Sequence, residues 1–198
     1  FGIDWSRVEI SMECDPGTFT RETLRGFVGL GVNRVSLGAQ SFDERVLKAC
    51  GRTHGVLEIY ESVEHVHALL GSGRSSSNSK HSGSKTNSIE TWSMDLISGL
   101  PGSTLEIWEK GLHETLECEA PHVSTYDLQV EEKTAFGKWY GDDDESHKLG
   151  DRLPLPSESV VAEQYKLASE ILTTRGGFHR YEISSFAKGV EHECKHNK

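Results

Sequence analysis

The chain has 198 residues, of which 35% are hydrophobic, and a formal net charge of −10. That length supports one ordinary domain with a real core. The acidic balance argues against gripping a nucleic-acid backbone, which needs a basic footprint, and no apolar run reaches the ~18–20 residues that cross a bilayer.

The first pattern is "VEISMEC", where Val8, Ile10 and Met12 alternate with polar residues and predict a strand ending at "DPGT". Thr20 then suits an N-cap for a helix that carries Leu24, Phe27, Val28 and Leu30 on one face and stops at Gly31. "NRVSLGAQ" is the next strand, and Asp43 caps a short helix to Cys50. A longer helix follows Gly55, with Leu57, Tyr60, Val63, Val66, Leu69 and Leu70 at near-helical spacing. Residues 71–88 are nearly all Ser, Gly, Asn and Lys and cannot bury apolar area. They read as a disordered surface insertion. "TWSMDLISGLP" is a strand with a turn. Ser103 and Glu106 then suggest a capping box for a helix carrying Leu105, Trp108, Leu112 and Leu116. "HVSTYDLQV" is another strand, residues 131–156 a long loop, and "SESVVAEQYKLASEILTTRGG" a helix stopped by Gly176. A strand-like "YEISSFAKG" comes last. Strands alternating with helices of ten or more residues predict crossovers and a parallel sheet, hence an α/β fold.

The four cysteines, Cys14, Cys50, Cys118 and Cys194, show no CxxC pair and no disulfide framework, as in a reduced intracellular protein. The polar signals instead sit where strands are expected to end: Glu13, Gln40, Asp95 and Asp127–Gln129. In parallel α/β folds, ligands bind at the C-terminal ends of the strands. Any one of these residues alone would serve as well in a turn or cap. Taken with Arg52, the set Glu13, Gln40, Arg52 and Asp95 suits a zwitterionic, ribose-bearing ligand. Carboxylates accept from amines and ribose hydroxyls, the guanidinium matches a carboxylate, and the amide both donates and accepts. No GxSxG elbow, HExxH or Walker loop is present.

Five blocks, "EISMECDPGT", "NRVSLGAQSFDERVLKACGRTH", "SMDLISGLPG", "HVSTYDLQVEEKTAFGK" and "YEISSFAKG…ECKHN", closely resemble successive motifs of one group. It is the HemW-type haem chaperone branch of the radical S-adenosylmethionine superfamily, related to oxygen-independent coproporphyrinogen III oxidase. The resemblance implies an incomplete (β/α) barrel, here truncated at both ends, with residues 1–130 forming the partial barrel. Residues 131–198 would supply a loop, helix and strand leading into a truncated C-terminal region. It further implies that Glu13, Gln40, Arg52 and Asp95 contact S-adenosylmethionine and that Ile97–Gly99 lies along its adenine.

The family's CxxxCxxC loop, whose thiolates hold a [4Fe–4S] cluster, is missing from this sequence, and none of the four cysteines replaces it by spacing. The cluster ligands are therefore expected outside the chain, which starts at Phe1 rather than Met and reads as part of something longer. "ECKHNK" matches the start of the chaperones' His-Asn-x-x-Tyr-Trp block, which makes His196 the candidate haem ligand and Cys194 a second. Three functions follow. The first is a haem chaperone that delivers haem or porphyrin to apo-proteins. The second is an oxidase-like oxidative decarboxylase, and the third a non-functional fragment without its cluster loop. The chaperone reading is favoured by the His-Asn block. An intracellular location is expected, in the cytoplasm or an organelle, and whether the chain is itself an enzyme is left open.

Overall fold

The structure, a computed structural model, describes residues 8–71, 88–140 and 152–197. Its elements run β1 (Ser11–Cys14), α1 (Arg21–Gly29), β2 (Arg34–Gln40), α2 (Glu44–Ala49), α3 (Val56–His67), β3 (Thr91–Ser98), α4 (Leu105–Glu117), β4 (His122–Asp127), α5 (Ala135–Tyr140), α6 (Glu158–Glu170), β5 (His179–Arg180) and β6 (Ser185–Ala187). One six-stranded sheet has the order β1-β2-β3-β4-β6-β5. Strands β1 to β4 are parallel. The last two pair antiparallel, so the sheet is parallel with an antiparallel edge. The reason is local: "YEIS" turns the chain between β5 and β6, so "YEISSFAKG" belongs to a hairpin. Glu182 fixes this turn by accepting from the Ser184 N–H at 2.9 Å.

The sheet has two unlike faces, because strand side chains alternate. Register aligns Leu37 with Met94, Met94 with Val123, and Val123 with Phe186. These buried residues, with Val35, Trp92 and Leu96, meet Leu24, Val28, Ile59, Val63, Trp108, Leu112 and Leu172 from the helical side in one core. The opposite face aligns Glu13 with Ser36, Ser36 with Ser93, and Asp95 with Ser124. Arg34, Thr91 and His122 share that face by alternation, and all three are buried. A parallel strand covered on both sides by helices reads as a continuous apolar run. These alternate instead, so the uncovered face is built for polar contents.

The caps explain where the helices begin. Thr20 accepts from the Thr23 N–H, and Asp43 from the Arg45 and Val46 N–H groups, as expected. At α4 the cap is Thr104, which accepts from the Ile107 N–H, and not Ser103. Ser103 is buried and committed to Gln164, whose amide donates to its hydroxyl at 3.1 Å. The predicted helical faces also need correction. Leu57 and Tyr60 are exposed while Ile59 is fully buried, so the apolar stripe of α3 runs Ile59, Val63, Val66. Phe27 and Leu30 are likewise exposed, Leu30 because it lies at the C-cap beyond the last turn of α1. The loop expected over 131–156 holds α5. Residues 72–87 and 141–151 lie outside the described residues, so the expectation for the Ser-rich tract concerns a segment not described. Its flanks meet in a bridge between Leu70 and Ile89.

Candidate functional site

The centre of the polar face is Asp95. It was expected at a strand end, but β3 runs on three residues to Ser98, which seats Asp95 within the sheet. Its Oδ2 accepts from Ser36 Oγ at 2.6 Å, and Ser36 in turn contacts Ser93 Oγ at 2.8 Å. Its Oδ1 is buried with no hydrogen-bond partner among the described residues. Burial pushes the Asp95 carboxyl above the usual carboxylate range, and the nearby Glu13 charge adds to the rise. The Ser36 and Ser124 hydroxyls and Arg34 oppose it. Tyr126, one turn of the alternation along β4, feels the charges of both Asp95 and Glu13, and its phenol is raised chiefly by burial. Glu13, Asp95 and Tyr126 therefore form one electrostatic group.

A second group sits on the rim beyond β2. Gln40 ends this strand with φ of 66°, a left-handed conformation that is uncommon for a non-glycine residue. The sheet register shifts between Leu37 and Gln40, so the chain bulges there. The bulge turns the Gln40 amide back over Gly38. A Cβ at Gly38 would stand 2.7 Å from Gln40 Nε2 and 3.2 Å from Asp15 Oδ1, so only glycine leaves room for both groups. Asp15 also accepts from Arg52 Nη1 at 3.1 Å. Arg52 thus joins the Gln40 side of the rim through Asp15, and lines a cavity of about 360 Å³ with Thr53, His54 and Gly55. His54 beside it is buried, with Nε2 3.5 Å from the Ala39 carbonyl, and burial lowers its pKa. It fixes the loop.

A third group closes the N-terminal end of the polar face. The segment Val190–Asn197 crosses the strand starts. Arg34 Nη1 donates to the His192 carbonyl at 3.1 Å, and Thr91 Oγ1 lies 2.8 Å from His192 Nδ1. His122 Nε2 lies 2.8 Å from the Tyr181 hydroxyl, which accepts from the Cys194 N–H at 3.0 Å. Burial, with the Arg34 and His192 charges, lowers the His122 pKa to about 3, so it stays neutral. His196 stands in the turn Lys195–Asn197, exposed, and lines a cavity of about 450 Å³ with Tyr126, Glu182 and Ser185.

The structure thus sets Glu13 with Asp95, sets Gln40 and Arg52 around Asp15, and ties His196 to the polar face through Tyr126. Reading the sequence missed Asp15, Ser36, Arg34 and Tyr126. Alternation along "RVSLGAQ" and "TWSMDLIS" held the signal for Ser36, since Ser36 and Asp95 carry the same parity as Arg34 and Thr91. Asp15 was passed over as part of a turn.

The donor set fits S-adenosylmethionine on two observations: the partnerless Asp95 Oδ1 and the carboxylate pair Glu13–Asp95. It does not fit a [4Fe–4S] cluster. Among the described residues no three His, Cys, Asp or Glu side chains gather as a metal site. Burial raises the Cys14, Cys50 and Cys118 thiols to about 11.

Residues 5–78 match the Radical SAM superfamily. The chain resembles the HemW heme chaperones. It is 38% identical over 96% of its length to "Heme chaperone HemW" of Synechocystis sp., covering 39% of that protein. It is 32% identical to the Escherichia coli "Heme chaperone HemW", again over 96% of the chain, covering 42% of that protein. The chain therefore spans about two fifths of the length of these relatives. It is also 32% identical, over 91% of the chain and 34% of the relative, to "Radical S-adenosyl methionine domain-containing protein 1, mitochondrial" of Danio rerio. Coproporphyrinogen III oxidase (HemN) from Escherichia coli shares the fold, with a TM-score of 0.69 at 22% identity over 91% of this chain and 35% of that one. The α/β fold with a parallel-dominated sheet is thus shared with that structure. Among the described residues no helix is long and apolar enough to cross a membrane.

Proposed function

We propose that this chain is the S-adenosylmethionine-binding part of a haem-handling protein, one that receives haem and delivers it to apo-proteins inside the cell. The observation that carries the reading is the partnerless Oδ1 of Asp95, facing the polar side of the sheet beside Glu13. A buried carboxylate oxygen without a donor is costly unless a ligand supplies one. S-adenosylmethionine brings an α-amino-carboxylate, ribose hydroxyls and a sulfonium-activated carbon. Glu13 and Asp95 accept from its amine and hydroxyls. Arg52, oriented by Asp15, holds its carboxylate, and the Gln40 amide completes the rim. The kinship with proteins named heme chaperones over nearly the whole chain supports haem as the cargo. His196 is the residue of this chain suited to ligate the haem iron, since it is exposed beside an open cavity.

The test is calorimetry of the full-length protein with S-adenosylmethionine. Arg52→Ala is expected to weaken binding by about 1.5–3 kcal/mol, the range for a charged hydrogen bond; unchanged affinity removes Arg52 from the site. In parallel, haem titration of His196→Ala is expected to lose the Soret shift of the wild type, and an identical spectrum removes His196.

A further inference from the structure

A second cleft shares Arg45 and Lys48 with the Arg52 cavity. It is a cavity of about 450 Å³ whose lining includes Arg45, Lys48, Gly51, Trp139, Tyr140 and Arg152. Its volume falls within the ~300–1,000 Å³ of small-molecule sites. Arg45, Lys48 and Arg152 bring three cations to its lining. Its walls are aromatic and held in place. The Arg152 guanidinium lies 4.7 Å from the Trp139 ring centre. Tyr140 packs on Phe136 with ring centres 4.7 Å apart and donates from its hydroxyl to the Leu153 carbonyl at 2.8 Å. Arg45 has only a surface pairing, 3.6 Å from Asp43 with its side chain 74% exposed, so a ligand anion can draw it away.

We infer that the cleft between α2 and the Trp139–Tyr140 segment binds a planar aromatic ring carrying carboxylates, of the tetrapyrrole class. Flat rings stack on the indole and phenol faces. Arg45 and Arg152 present the forked geometry that pairs with carboxylates, and Lys48 adds a point charge. Arg45 and Lys48 also line the Arg52 cavity, so the two cavities share a wall and a bound ring would adjoin the candidate site. The choice of a tetrapyrrole rests on the haem-handling reading; the preference for a planar anion rests on the cleft alone.

The experiment is a titration with metal-free protoporphyrin IX, read by its Soret band, which needs no iron ligand and so is independent of His196. The K48E/R152E variant is expected to bind at least tenfold more weakly than wild type, with an unchanged thermal melt, since both side chains are exposed. The dimethyl ester of the same porphyrin should lose at least tenfold on the wild type. Affinity within twofold of wild type in K48E/R152E, or an ester that binds as well as the free acid, overturns the site. So does displacement of the porphyrin by ATP at equal concentration. Haem binding retained in K48E/R152E but lost in His196→Ala overturns the cleft and leaves the haem reading intact. The converse pattern supports the cleft and removes His196.

Discussion

Gln40 holds a backbone conformation that costs an L-residue about 1 kcal/mol, with a side chain poised over Gly38. Such strain persists where surrounding structure or function demands it. Gln40→Gly is therefore expected to raise stability by about 1 kcal/mol in urea unfolding while weakening S-adenosylmethionine binding. A loss of stability would mean that the amide supports the fold rather than a ligand. Asp95 gives a pH-dependent counterpart. Its carboxyl titrates higher in the folded chain than in the unfolded one. The native state therefore binds more protons, and the stability linked to this group is present below about pH 4 and declines as pH rises through its folded pKa. Asp95→Asn abolishes that decline, so its stability relative to wild type is expected to improve as pH rises from about 4 through the folded pKa. A difference that stays flat over that window would show Asp95 to be solvated. At this scale the chemistry was legible, because a carboxylate or guanidinium declares itself in one letter. The partners were not. That Asp15 joins Arg52 to the Gln40 side, or that Ser36 holds Asp95, depends on register and on the bulge in β2.

Elements in this protein are joined by buried polar residues as much as by apolar packing. Gln164 of α6 is fully buried, and its Oε1 accepts from the Gly99 N–H at 2.8 Å while its amide donates to Ser103. The Trp108 indole of α4 donates to the Gln164 carbonyl at 2.8 Å. One side chain thus clamps α6 onto the turn that leaves β3, and so holds the strand that carries Asp95. Gln164→Leu strands the Gly99 N–H and is expected to cost about 1–3 kcal/mol, measured by chemical unfolding with Lys166→Ala as a surface control. A cost under about 0.5 kcal/mol would mean that the turn finds other partners. Nothing in "SVVAEQYKLASE" marks Gln164 as internal, since glutamine is an ordinary surface helix former. Capping chemistry read well for α1 and α2, where a single Thr or Asp stands before the helix. It failed for α4, where "GST" offers two hydroxyls side by side and tertiary burial takes the first. The α3 stripe failed similarly: Leu57, Tyr60, Val63 and Val66 share a helical spacing, but so do Ile59, Val63 and Val66, and only the neighbouring sheet decides between them.

At the scale of the whole molecule, the alternation of strands and helices sufficed to fix the α/β class and the parallel pairing of β1 to β4. The terminal hairpin escaped because β5 and β6 are only two and three residues long, too short for a periodic signal. The four thiols are separate, and among the described residues no three potential ligands gather at one place, so anaerobic reconstitution of this chain with iron and sulfide is expected to yield no stoichiometric cluster. A charge-transfer band with four irons per chain would overturn that. The segment that crosses the strand starts carries one more consequence. Glu9 Oε1 accepts from the Lys195 N–H at 3.0 Å, so two points 186 positions apart in sequence touch. In a longer polypeptide, whatever precedes the first strand and whatever follows the last turn would depart from a single doorway. Flanking segments would then start out side by side, at high effective concentration for each other, and a short linker across that doorway should allow the chain to be reconnected in a new order without disturbing the sheet.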